Sequence, residues 1–144
     1  MKQIGYSMRF TGQAGPVEGS EGVLKAATSA PSCIITSSVG PDGLSGSIDP
    51  ASGEATTFES EVTFTGAMTF LESGSTTFGE NGNSLRFSTV GEGHLKESAV
   101  SKLMHGTVMW QIDDGEGHFT GASGLITSNF MVDEAGAVTD HHSG

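Results

Sequence analysis

Positive charge is scarce in this chain. Six Lys and Arg stand against 17 Asp and Glu, for a net charge of −11. The six (Lys2, Arg9, Lys25, Arg86, Lys96 and Lys102) are scattered and form no cluster. A nucleic-acid binder needs clustered cations to displace counterions from the phosphates, and docking on an anionic bilayer needs them as well. We therefore expect no nucleic-acid partner and no membrane partner. Long apolar runs are missing too: nothing approaches the roughly 20 residues required to cross a bilayer. The opening Met1-Lys2-Gln3-Ile4-Gly5-Tyr6 lacks the apolar core of a signal peptide, so a cytoplasmic location is the expectation. Cys33 is the only cysteine, which excludes an internal disulfide.

Charged residues make up only 16 % and hydrophobic residues 35 %, and the remainder is rich in Ser, Thr and 22 Gly. A disordered chain would be charge-rich and poor in aromatics. Here eight Phe, one Trp and one Tyr fall in patterned runs, so the glycines read as turns and bends of a folded β protein. The length of 144 residues suits one domain spanning 1–144.

The pattern that is present alternates with a period of two, as in a strand with unlike faces. Ile4, Tyr6, Met8 and Phe10 alternate with Gly5, Ser7, Arg9 and Thr11. Phe58, Val62, Phe64, Met68 and Phe70 share one parity, whereas Glu59, Glu61, Thr63, Thr65 and Thr69 share the other. We read Ala55 to Leu71 as one long strand with a bend or bulge at Gly66. Leu85 and Phe87, then Met104, Val108, Trp110 and Ile112, then Ile126, Ser128, Phe130 and Val132 continue the alternation. Turn signals separate the runs at Asp42-Gly43, Asp49-Pro50, Ser73-Gly74, Asn81-Gly82, Asp114-Gly115 and Asp133-Glu134-Ala135-Gly136. Pro16 to Gly22 reads as a polar loop, and Pro31 as a strand break or edge. Val23 to Ala30 is the one stretch that suggests a short helical turn. The strand from Ala137 ends within Asp140-His141-His142-Ser143-Gly144. That is short for a closing strand, from which we expect a truncated or processed C-terminus. About eight strands at regular spacing predict an all-β fold, a barrel or a sandwich; a closed antiparallel barrel removes the exposed edges.

Gly115-Glu116-Gly117-His118-Phe119-Thr120-Gly121-Ala122-Ser123-Gly124 reads G-x-G-x-F-x-G-A-x-G. Glycines here permit positive φ and close strand approach, and Phe119 plugs one end of the core. From Met104 to Val132 the chain resembles the glycine-rich hairpin of the allene oxide cyclase-like barrels, the group that includes the dirigent proteins. The resemblance implies an eight-stranded barrel, a homo-oligomer (a trimer or dimer), and a cavity for a hydrophobic small molecule. Known plant members of that group steer a cyclisation or a radical coupling. The matching segment is structural, so it transfers no catalytic residue. A dinucleotide-binding reading of G-x-G-x-x-G fails because Ser123-Gly124-Leu125-Ile126-Thr127 is β-rich where a helix should open.

Residue chemistry suggests a catalytic set of His105, Arg86, Glu59 and Asn129. His105 is a mid-strand histidine able to shift a proton near neutral pH. Glu59 and Glu61 form a paired-carboxylate candidate, although such a pair is more often the solvated face of a sheet. Arg86 could hold a carboxylate or enolate oxygen, with an ion pair to Glu59 or Glu61 as the commoner role. Asn129 could donate to a ligand carbonyl. Tyr6, Phe64, Trp110 and Phe130 are candidate ligand-binding walls on the apolar parity. Asp140-His141-His142 lacks a third spaced ligand, so no metal is assigned. Cys33, beside Ile34 and Ile35, reads as a small core residue. Neither a G-x-S-x-G elbow nor an H-E-x-x-H pair occurs.

Two arrangements satisfy the parity. In a monomer the apolar face fills the lumen and the four catalytic candidates point outward. In a trimer that buries an outer apolar face, the lumen is polar. The leading expectation is a cofactor-independent isomerase, cyclase or lyase acting on a hydrophobic small molecule. A non-catalytic carrier or sensor, and a packed barrel acting as an interaction module, are the alternatives.

Overall fold

Along most of the chain the even-numbered side chains turn inward, and that single rule organises the structure. A computed structural model describes residues 3, 5, 7–31, 33–50, 55–79, 82–100 and 102–144, with 33–39 and 44–50 described by their backbone. Its strands are β1 (Ser7–Pro16), β2 (Val23–Ala30), β3 (Cys33–Gly40), β4 (Gly43–Pro50), β5 (Thr56–Phe64), β6 (Thr69–Phe78), β7 (Asn83–Thr89), β8 (Gly93–Glu97), β9 (Leu103–Glu116), β10 (Leu125–Asp133) and β11 (Ala137–Ser143). The sole helical piece among the described residues is a 3-10 turn at Gly117–Phe119.

Strands β1, β2, β5, β6, β7, β9, β10 and β11 form a closed eight-stranded antiparallel barrel. Sequential strands are neighbours all the way round. The last strand, β11, lies between β10 and β1, and β9 pairs with β10 to complete the ring. The extra strand β8 shares a slot with β7. Ser73–Phe78 of β6 pairs with β7, whereas Thr69 and Phe70 of the same strand pair with β8. Likewise β9 pairs with β8 near its start and with β7 near its end. Strands β3 and β4 make a separate two-stranded hairpin between β2 and β5.

Several local expectations change in this context. Ala55 to Leu71 is two strands and a tight reversal, with Phe64 opposite Phe70 and Thr65 N–H donating to Thr69 O at 3.0 Å. The reversal spans an even step, so the apolar parity runs through it unbroken and conceals the turn. Val23 to Ala30 is strand β2, paired on both sides with β1 and β5. Beyond Leu24 its inward residues are small (Ala26, Thr28, Ala30), so alternation is weak there, and pairing overrides the local alanine preference. Ser73-Gly74 lies inside β6, and Asp49-Pro50 ends β4. Asp114-Gly115 lies inside β9, at an irregularity where Arg86 opposes Asp114 but Phe87 opposes Ile112. The extra residue there, Asp113, makes a bulge, which turn chemistry alone does not separate from a hairpin. Asp133–Gly136 is a turn as expected: Asp133 Oδ1 accepts from the N–H of Ala135 and of Ala137. Asn81 of the Asn-Gly pair lies outside the described residues. β11 pairs along seven residues with β1 and six with β10.

The G-x-G-x-F-x-G segment carries the chain from β9 through the 3-10 turn to β10. Gly117 has φ 63°, and the N–H of His118 donates to Asn83 Oδ1 at 2.9 Å. Phe119 is half-buried and packs on Phe78, ring centroids 5.0 Å apart. The core beside it is aromatic. Phe58 stacks on Phe87 at 5.2 Å, Phe87 meets Trp110 at 4.6 Å, and Phe10, Phe58, Phe87, Trp110 and Ile126 are all buried. Burying each such side chain contributes about 1.5–3 kcal/mol.

Gly12 faces inward where β1 crosses β2. A Cβ there would lie 2.1 Å from Ala27 O and 2.7 Å from Thr28 Cα, so the strands themselves would have to separate. Gly15, in the same strand, has open space around it. Gly12→Ala is expected to lower the unfolding free energy by about 2–3 kcal/mol, whereas Gly15→Ala should change it little. Urea unfolding of the pair checks this, and equal effects would show that the close approach is not tight.

Candidate functional site

The lumen has two unlike halves. One half is filled by Phe10, Phe58 and Trp110 packed around His142, with Phe87 against Phe58 and Trp110. The other holds a cavity of about 230 Å³ between the far ends of the same strands. Its walls are apolar: Leu24, Val62, Phe64, Leu95, Phe130 and Val132 take part. Among the described residues only Thr28, Glu72 and Asp140 bring polar side chains to it.

Glu72 sits on the inward parity of β6, between Phe70 and Gly74. Its carboxyl is held from two sides. Ser60 Oγ on β5 donates to Oε1 at 2.5 Å, and Trp110 Nε1 on β9 donates to Oε2 at 3.1 Å. Its backbone is clamped as well: Glu72 N–H donates to Thr89 Oγ1, and Thr89 Oγ1 donates to Glu72 O, each at 2.7 Å. Burial raises the pKa from 4.5 to about 7; the Ser60 and Trp110 hydrogen bonds oppose the shift, and the charge of Asp140 adds to it.

Asp140 faces inward on β11. Ser128 Oγ on β10 donates to its Oδ1 at 2.7 Å, and its Oδ2 lies 2.8 Å from His142 Nε2. The His142 ring has no exposed surface and lies 4.3 Å from Phe10, with the edges of Phe58 and Trp110 near it. Its Nδ1 has no hydrogen-bond partner among the described residues. The Asp140–His142 contact orients the carboxylate, whose other side meets the cavity. Chemically, the floor of the cavity presents one carboxyl able to give or take a proton near neutral pH, beside a second, braced carboxyl.

The four residues picked out for catalysis lie elsewhere. Glu59, Arg86, His105 and Asn129 are all exposed on the outer wall, because the apolar parity fills the lumen and sends the polar parity outward. Arg86 pairs with Asp114 at 2.5 Å, not with Glu59 or Glu61. His105 stands between Lys96 and Met131 in the register, and Asn129 between Thr107 and His141. Of the expected walls, Phe64 and Phe130 line the cavity, and Trp110 lies behind it as the donor to Glu72. Tyr6 lies outside the described residues, and Cys33 is described by its backbone only. Asp140 and His142 point inward but His141 is exposed, so that triplet is split across the wall. Among the described residues no group of three or more His, Cys, Asp or Glu is placed to hold a metal ion, and no helix is long and apolar enough to cross a membrane.

Glu72 drew no expectation, and Asp140 and His142 were weighed only as metal ligands, although a signal for all three exists: each is a charged or polar residue on the apolar parity of its strand. No protein-family model, curated protein or solved structure matches the chain.

Because the native chain keeps the Glu72 proton up to about pH 7 and the unfolded chain loses it near 4.5, this group's contribution is full below the lower value and is lost as pH rises through the upper one. The span corresponds to about 3 kcal/mol. Relative to Glu72→Gln, the wild-type protein should therefore lose about that much unfolding free energy between roughly pH 4 and pH 8. Denaturant titrations of both proteins across that range test it, and a constant difference would mean that Glu72 is not desolvated.

Proposed function

We propose that this protein takes one small, largely apolar molecule into the barrel and moves a proton on it, with Glu72 serving as both acid and base. The observation that carries this reading is the placement of the Glu72 carboxyl in the floor of a mostly apolar cavity, where burial raises its pKa to about 7. A group poised there exchanges its proton with little penalty in either direction. Isomerisations by double-bond migration, acid-triggered cyclisations and eliminations use that step and need no cofactor. The resemblance of the Gly115–Gly124 segment to allene oxide cyclase-like barrels supports the cavity part of this reading, not the role of Glu72. Shape control would come from the Phe64, Phe130 and Val132 walls, which restrict the conformers a bound substrate adopts.

A second reading, a carrier or sensor of the same ligand, is favoured by one feature. Among the described residues no cationic side chain lines the cavity to stabilise a developing oxyanion. The packed-barrel alternative loses ground to the 230 Å³ of unfilled lumen.

The test uses native mass spectrometry with a library of small apolar compounds. One ligand per barrel is expected for the wild type and none for Ala26→Phe, which fills the cavity from β2. Hits are then incubated in heavy water. Deuterium entering carbon positions of the ligand with wild type, and at least about a hundredfold more slowly with Glu72→Gln, supports proton transfer. Binding without exchange leaves the carrier reading.

A further inference from the structure

The polar chemistry of the cavity is one-sided. Among the described residues its lining includes two carboxyl groups, Glu72 and Asp140, but no Lys, Arg or His. Each carboxyl oxygen already takes one hydrogen-bond contact, from Ser60, Trp110, Ser128 or His142, which leaves a second lone pair on each. Thr28, also in the lining, is only 6 % exposed, and its Oγ1 has no partner among the described residues. A buried hydroxyl left unpaired is costly, and a ligand donor at that point removes the cost. The aromatic walls add to the same preference, because the faces of Phe58, Phe64, Phe70 and Phe130 attract a cation. Outside, the net charge of −11 draws cations toward the protein.

We propose that the occupant of this cavity is a lipophilic amine bound as its ammonium ion, the cationic head seated between Glu72, Asp140 and Thr28 and the apolar body against the phenylalanine walls. This rests on the reading of the cavity as a binding site and names the ligand class for it. The cavity, at about 230 Å³, is smaller than the roughly 300–1,000 Å³ of drug-sized sites. The body is therefore one ring or a short chain.

The assignment links binding to pH. An ammonium head favours ionised Glu72, so below neutrality the carboxyl must release its proton before the ligand binds. Asp140 faces Glu72 across the lumen from β11, with His142 behind it. Glu59 and Glu61 on β5, Lys25 on β2, Arg86 on β7, and His94 and Lys96 on β8 are all exposed on the outer wall.

Calorimetric titration of the full chain with phenylbutylamine, phenylbutanol and phenylbutyrate tests the proposal. The amine should bind at least about tenfold more tightly than the alcohol at about pH 8.5, and the carboxylate should bind worst. Between about pH 8.5 and pH 5.5 the affinity for the amine should fall about thirtyfold, as the ionised fraction of Glu72 falls. In Glu72→Gln that pH dependence should vanish; circular dichroism verifies the fold of the variant, and the three-probe comparison in wild type stands without it. If the alcohol or the carboxylate binds as tightly as the amine, the cationic assignment is overturned and the cavity reading survives. If none of the three binds, both are overturned.

Discussion

Closing a sheet on itself sends every second side chain into one shared interior, and any polar group placed there must find its partners among the other inward side chains. The rest of this structure depends on that constraint. Glu72 meets Ser60 and Trp110, and Asp140 meets Ser128 and His142. These contacts tie β5, β6 and β9 on one side of the ring, and β10 and β11 on the other. A buried carboxyl with only apolar neighbours would be far more costly than either group is here.

The two networks also divide the barrel. On one side of them the aromatic rings of Phe10, Phe58, Phe87 and Trp110 fill the space, with His142 packed in as a fifth ring. On the other side the inward positions of β2 are small, Ala26 and Thr28, and the lumen stays open. The carboxyls thus lie between a rigid floor and an apolar chamber. The floor fixes their geometry, and the chamber supplies the low polarity that lifts Glu72 toward neutral pKa. Preorganised polar groups in such surroundings act more strongly than they would in water.

Much of the architecture was legible in the residue order. Alternation marked β1, β7, β9 and β10, and Asp133–Gly136 marked a turn, because a pleated strand with one buried face has to alternate. Elements whose inward residues are small escaped, as β2 did. The β5–β6 reversal escaped because its length preserved parity. The site was harder to see. Attention to polar residues on polar faces selected His105, Arg86, Glu59 and Asn129, all of which point to solvent. The informative residues were those that broke the apolar parity, Glu72 after Phe70, and Asp140 and His142 after Val138.

By itself the sequence determined the strand class, the two-faced alternation of most strands and the acidic character of the whole, since these follow from local alternation and composition; which face turns inward was left to the tertiary structure. Only the tertiary structure decided which strands stand side by side. Ser60 and Glu72 are 12 residues apart and Trp110 is 38 from Glu72, yet they form one hydrogen-bonded group. Barrel closure, a property of the ring and of no single strand, brings them together and sets an open chamber above them.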